Sequence, residues 1–492
     1  MAEGWRLENS DLNNIESPLF LTGVVYNEMK GAFSDNERIL IQKIQNYILP
    51  DHTYGVVSGG DPMKIPDLTW DDLKTFHKNH YHPSNAKFFS YGNFPLIPSL
   101  EYLNNEYLSK YSYSSPDHTV VASQKRWTDT KEEHIYGRFE NMRDKYEKQN
   151  SLVVSLLMSD ITDVYETFIL QFITELLIKG TNAPFYRTMI EPNFSGGFTQ
   201  FTGFDNQTKD SVFSIGLQGL KKTDFNKVIK LFNYTIDKVV ETGFDENHIE
   251  SVLHGYELSL KHETSNFGLH LLFALTPIWN HDGPIVDALH VNNMIEKLRE
   301  NLQTNPKYLQ DIVKKYFKQN KHCLTVTMSA DKQYEQKLNM EEKRLIEHKS
   351  AKLTQEEKED LFKKNLQLKE RQSEIQNTEI LPTLAIDDVS NEVERISTEH
   401  TSVGHVPLQI NRVNSNGIVY FKGILSTQHL SWDQQMLLPL FCYVVNKLGT
   451  EKWNYKEFDS LAQRKTSGLD FNIHIGESFI YSTYVRTWNI TL

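Results

Sequence analysis

Two cysteines in 492 residues, Cys323 and Cys442, are too few for a disulfide framework, so the sequence reads as that of a protein of a reducing compartment. Both lie in apolar runs and are expected in cores. No apolar stretch reaches the roughly 20 residues that a membrane helix needs, so no span is expected. The opening Met1-Ala2-Glu3-Gly4-Trp5 has neither the basic start nor the apolar run of a targeting segment. Positive charge is also short. The chain has 52 basic against 64 acidic residues, a net charge of −12, whereas nucleic acid or an anionic membrane would require a basic face. An acidic surface suits cationic partners, or solubility alone. The sequons at Asn193, Asn206, Asn233 and Asn489 read as chance. Several motifs are missing: His-Glu-x-x-His, its inverse His-x-x-Glu-His, the phosphate loop, the dinucleotide glycines and the Gly-x-Ser-x-Gly elbow.

What is present is ordinary for a folded chain, with 39% hydrophobic and 24% charged residues, and the length suggests two to four domains. Residues 1–115 read as part of an α/β unit. Ser34 with Glu37 predicts a capped helix carrying Leu40, Ile44, Tyr47 and Ile48. Thr69 with Asp72 predicts a second, with Leu73, Phe76 and Tyr81 on one side and Pro83 beyond its end, then a strand over 86–91. Residues 116–150 are polar and read as a connection. A second α/β unit spans 151–330. Its expected strands are 152–158, 198–204, 212–217 and 322–328. Its helices cover 163–179, a stretch from Asp224 closed by Gly243, and one opened by Asn305-Pro306. The helix–turn–strand order of 73–91 recurs at 309–328, which suggests two related units. Residues 331–379, dense in Lys and Glu with Thr354 and Glu357 as a central capping box, read as a solvated helical hairpin. A third unit opens at 380. It contains a β-hairpin of 410–413 and 418–424 about Asn416-Gly417, a helix over 432–448, and a final strand at 489–492 where the sequence stops.

One short segment carries most of the chemical information. In Val24-Val25-Tyr26-Asn27-Glu28-Met29-Lys30-Gly31, helical spacing stacks Val24, Glu28 and Ala32 on a mostly apolar stripe. A carboxylate buried there needs a cation, either a Lys/Arg partner or a metal. His77 and His80 share a helix face that could hold a metal pair, but a helix C-terminus suits histidine through the dipole alone. His254, His262 and His270 recur every eight residues with no carboxylate set in view and read as packing or surface residues. Ser58-Gly59-Gly60-Asp61-Pro62 is a turn whose glycines allow close backbone approach.

Glu3-Gly4-Trp5-Arg6-Leu7-Glu8, the 24–31 segment, Ser58-Gly59-Gly60-Asp61-Pro62 and Tyr81-His82-Pro83-Ser84-Asn85-Ala86 stand in one order. Phe185-Tyr186, Gly216-Leu217-Gln218-Gly219, the hairpin and Leu381-Pro382 continue it. Together they resemble the presequence-degrading branch of the pitrilysin family, over nearly the whole chain and more weakly after about residue 465. The resemblance implies an α+β fold of the LuxS/peptidase-like metalloenzyme type, with two halves of paired α/β domains joined by a helical hairpin into a clamshell. It implies a Zn2+-dependent metalloendopeptidase of the mitochondrial matrix that acts on presequences and other short unfolded peptides, as a monomer when complete. It assigns Glu28 to the distal metal ligand. The family's inverted motif and its transition-state Arg and Tyr have no counterpart here. The sequence is therefore expected to be an inactive fragment, with 1–115 the later part of a catalytic domain and 380–492 the start of a third. The alternative expectation is a non-catalytic peptide-binding or assembly subunit.

Overall fold

The computed structural model describes residues 3–116, 119–141, 146–375, 378–392, 395–427, 429–466, 468–477 and 486–491. The chain opens on an antiparallel pair, β1 (Arg6–Asn9) and β2 (Leu19–Thr22), then helices α1 (Val24–Ala32) and α2 (Asn36–Ile48). Helices α3 (Trp70–His80) and α4 (Leu96–Glu106) follow. Next come β3 (Lys131–Arg138), β4 (Asn150–Asp160), α5 (Val164–Ile178), β5 (Gly197–Phe198), β6 (Gly203–Asp205) and β7 (Asp210–Leu220). A helical run of α6 (Phe225–Thr242), α7 (Glu246–Lys261), α8 (Phe267–Asn280), α9 (Ile285–Leu289), α10 (Val291–Thr304) and α11 (Tyr308–Val313) leads to β8 (Cys323–Asp331). The hairpin is α12 (Tyr334–Ala351) and α13 (Gln355–Ser373). The last unit holds β9 (Thr398–Val403), β10 (Val406–Asn411), β11 (Ile424–Ser426), α14 (Trp432–Val444), α15 (Tyr455–Lys465), β12 (Asn472–Glu477) and β13 (Arg486–Thr491).

The α+β architecture centres on a sheet ordered β3-β8-β4-β7-β5, with β6 also on β7. Only β3–β8 is parallel among its pairings. Ten of the eleven residues of β4 are buried, as an apolar run covered on both faces requires. Strand alternation then divides its side chains. Leu152, Val154, Leu156 and Met158 enter a core built with α5, α6, α7 and α10, while Val153 and Leu157 meet Ile39, Leu40, Ile44 and Ile48 of α2 on the other face.

The hairpin is clamped at its turn by the Thr354–Glu357 capping box. One side of it is not solvated: Leu345, Ile346, Leu353 and Leu361 pack on Leu7, Leu21, Tyr26 and Ile65. Asn365 is buried there and donates to Asn9 Oδ1 at 3.4 Å.

Four expectations need correction. Strand β3 lies in the stretch read as a connection; its polar sequence suits an edge, where charged side chains deter further pairing. Residues 86–91 are not a strand, because no described segment offers them a ladder. The N-cap of α2 is Asp35, whose carboxylate accepts from the Glu37 amide at 3.1 Å, rather than Ser34. Asn416 and Gly417 do adopt positive φ (52° and 81°), as a hairpin turn demands, but β10 pairs instead with β9 across Gly404 (φ 60°). Helix α3 forms with its capping box intact, yet Leu73, Phe76 and Tyr81 are exposed.

Candidate functional site

Helix α1 is positioned from three sides. The amides of Val25 and Tyr26 donate to the carbonyls of Glu3 (2.8 Å) and Gly4 (3.3 Å), so the N-terminal segment caps its first turn. Gly23 makes this possible. Its φ is 144°, and a Cβ there would stand 2.2 Å from the Gly4 carbonyl oxygen. Beneath the helix, the Gly59 backbone lies so close to Met29 that a Cβ would meet Sδ at 2.4 Å, while Gly60 has φ 97° and a Cβ there would meet Ile65 at 2.7 Å. On the third side Tyr26, 1% exposed, donates to Glu342 of α12 at 2.7 Å, and Lys30 Nζ reaches both oxygens of the same carboxylate at 2.7 and 2.8 Å. Burial and the neighbouring carboxylate drive the Tyr26 pKa upward, so the phenol stays a donor.

Tyr26 and Lys30 are four residues apart and share a face; Glu28 is about 200° around the helix from Tyr26. The expected apolar stripe is therefore not the buried one. Val24 (54% exposed), Val25 and Glu28 all face solvent, and Tyr26 takes the buried position. Among the described residues Glu28 has no ion pair or hydrogen bond, and the premise of a buried carboxylate needing a cation is overturned. No three His, Cys, Asp or Glu side chains converge among the described residues. Catalytic zinc takes three protein ligands, so the described residues do not fit a complete zinc centre by themselves.

The histidine clusters do not come together as metal sites. His77 stacks on Tyr81 and His80 packs on Phe76, with ring centroids 4.7 and 4.3 Å apart. His82 Nδ1 accepts from the Ser84 amide, and His262 Nδ1 meets the Tyr420 hydroxyl at 2.5 Å. His254 lies on α7 and His270 on α8.

A polar cluster that sequence reading missed lies between the N-terminal region and the sheet. Asp210, fully buried, accepts from the Gln124 amide (2.7 Å) and Arg126 Nη2 (2.9 Å). His52 Nε2 stands 3.9 Å from its carboxylate and has no hydrogen-bond partner. Burial raises the Asp210 pKa against those donors and lowers that of His52. Nearby, Tyr54 Oη and His281 Nε2 are 2.9 Å apart. His322 stacks on Trp127 at 3.7 Å and donates through Nε2 to the Ile48 carbonyl at 2.9 Å; burial pushes its pKa down to about 4. No local signal links residues 52, 126 and 210. Each is a single polar residue, and the sheet's connections alone bring them together.

A mostly antiparallel sheet layered with helices, with a helical hairpin beside it, defines an α+β protein, and comparison with known proteins gives the family. Residues 67–256 match the model described as Peptidase M16 inactive domain, and residues 328–485 match the associated domain of subgroup C of the same peptidase family. The chain is 45% identical over 477 residues to "Presequence protease, mitochondrial" of Drosophila melanogaster, covering 97% of this chain and 46% of that protein. Against the protein of the same name from Mus musculus, identity is 40% over 474 residues, covering 96% and 46%. A protease from Helicobacter pylori shares the fold at a TM-score of 0.50 and 13% identity, over 62% of this chain and 70% of that one. The chain belongs to the M16 (pitrilysin) peptidase family, whose peptidases are zinc-dependent in general. It spans about half the length of the curated relatives it matches.

Proposed function

We propose that this chain serves a mitochondrial-matrix peptidase of the presequence-degrading type, acting on presequences and other short unfolded peptides, and that it is catalytically silent by itself. The observation that carries this reading is 45% identity across 97% of the chain to a protein named mitochondrial presequence protease. In this reading residues 1–115, 151–330 and 380–492 are three α/β units, with 331–379 the joining hairpin. Glu28 is the one metal ligand the chain supplies, turned outward from α1 by the Tyr26–Glu342 contact on the opposite face. Zinc, when bound by a complete ligand set, would activate water for peptide hydrolysis. The test is metal content and turnover of a quenched presequence peptide. The chain alone is expected to hold no stoichiometric zinc and to cleave nothing; chelator-sensitive cleavage by it would overturn the reading. In a protein that does bind zinc, Glu28→Gln is expected to lower zinc affinity, read by competition with a chromogenic chelator. Unchanged affinity would remove Glu28 from the site.

A second reading, a peptide-binding or assembly subunit without catalysis, is favoured by the match of 67–256 to a domain described as inactive and by the lack of a metal-binding cluster among the described residues. Saturable binding of an uncleaved presequence peptide to the chain alone supports it, and absence of binding rejects it.

A further inference from the structure

Helix α15 of the last unit docks on the central unit through polar contacts. Tyr455 and Lys456 both donate to Glu191 (2.9 and 2.6 Å), Thr181 Oγ1 donates to Asp459 (2.9 Å), and Arg464 donates to Asn247 Oδ1 (2.8 Å). Beside this seam lies a cleft of about 780 Å³ between α6, the start of α7, residues 182–188 and α15. That volume lies within the range that small-molecule sites occupy.

The charges lining the cleft are unevenly matched. Its two carboxylates already serve backbone amides: Asp245 caps α7 through the His248 N–H (3.1 Å), and Glu457 accepts from the Asn454 N–H (3.0 Å) in the capping box of α15. Two guanidinium groups, both exposed to solvent, have only amide oxygens as hydrogen-bond partners among the described residues, with the Glu191 carboxylate a more distant neighbour of Arg187. Arg187 donates to Asn182 Oδ1 at 2.6 Å and Arg464 to Asn247 Oδ1, and neither has a carboxylate within 4 Å among the described residues. Lys238 is held loosely, 3.8 Å from Glu241. Among the described residues Lys456 is the one lining cation with a close ion pair, to Glu191. Guanidinium groups bind oxyanions in forked, charge-assisted pairs, and an amide oxygen satisfies only part of that capacity. The helix starts at α7 and α15 add positive partial charge at the same cleft. Trp453, Tyr234 and Phe244 supply flat apolar wall. In a chain of net charge −12, this is a cationic cleft with aromatic sides.

We propose that the cleft binds a small organic phosphate with a planar body, its oxyanion between Arg187 and Arg464 and its ring against the aromatic wall. Arg187 belongs to the central unit and Arg464 to α15, so the ligand would pin the last unit in its docked position. This inference is independent of the peptidase reading.

The test is calorimetric titration of the chain with adenosine monophosphate, inorganic phosphate and adenosine. Adenosine monophosphate is expected to bind saturably, on the order of 1 mM or tighter, with inorganic phosphate weaker and adenosine weaker still. R187Q and R464Q are each expected to weaken the nucleotide about tenfold, the worth of one charge-assisted pair. Circular dichroism checks that each variant folds, and the exposed K238Q, expected to weaken binding more mildly, serves if an arginine variant does not. No saturable binding up to about 10 mM, equal binding of adenosine, or wild-type affinity in the folded variants would each overturn the proposal.

Discussion

Tyr26 donates its hydroxyl to Glu342, 316 residues away, at 2.7 Å, and Lys30 holds the same carboxylate from the next turn of α1. This contact turns Glu28 outward and fastens the helix to the hairpin. Tyr26→Phe is expected to destabilise the chain by about 1.5–3 kcal/mol, one hydrogen bond to a charged acceptor. Glu342→Ala should remove about 1–3 kcal/mol, because it leaves a buried hydroxyl unpaired. Urea unfolding of both single variants and the double variant checks the pairing: strictly additive losses would show that the two residues are not coupled.

Asp210 is a fully buried carboxylate at the centre of the His52–Gln124–Arg126 cluster. Asp210→Ala leaves the buried Gln124 amide without its acceptor and Arg126 with the Met158 carbonyl alone. A loss of about 3–5 kcal/mol is expected, as for other broken buried pairs, discounted somewhat because Arg126 is partly exposed. Equilibrium unfolding measures it, and a loss below about 1 kcal/mol would show that the cluster is incidental.

His322 has a folded pKa near 4 against 6.5 for the ordinary imidazole. Its folded value is depressed, so its contribution is fully present above pH 6.5 and is lost as pH falls toward 4, where the unfolded chain binds a proton that the folded chain refuses. His52, His248 and His281 are shifted the same way by burial, while Asp210, shifted up, acts in the opposite sense. The melting temperature should therefore drop between pH 6.5 and 4, and His322→Asn should flatten that drop. An unaltered profile in the variant would contradict the assignment.

Two glycines of one segment should respond with opposite sign. Gly23→Ala forces a Cβ 2.2 Å from the Gly4 carbonyl at φ 144° and is expected to destabilise by about 1–3 kcal/mol. Gly31→Ala, inside α1 with open space around it, is expected to stabilise by up to about 1 kcal/mol. Thermal melts of the two variants decide it.

Much of the secondary structure was legible because its signals are local. The boxes at Thr69–Asp72 and Thr354–Glu357, Gly243 closing α6 at φ 72°, and the unbroken apolar run of β4 each act within a few residues. The candidate site was legible only through resemblance. Spacing put Glu28 on the inner stripe of α1, but which face of a nine-residue helix is covered depends on what packs against it.

The sequence by itself determined where several helices begin, that residues 152–158 form a strand, and, through resemblance, which family the chain belongs to. Those properties depend on backbone hydrogen bonding between near neighbours and on residue order. Only the tertiary structure decided that Tyr26 is buried and Glu28 exposed, that polar residues 131–138 form an edge strand, and that Arg187 and Arg464 line one cleft. Each of those depends on contacts between residues roughly two hundred to three hundred positions apart, and no periodicity in the chain encodes such contacts.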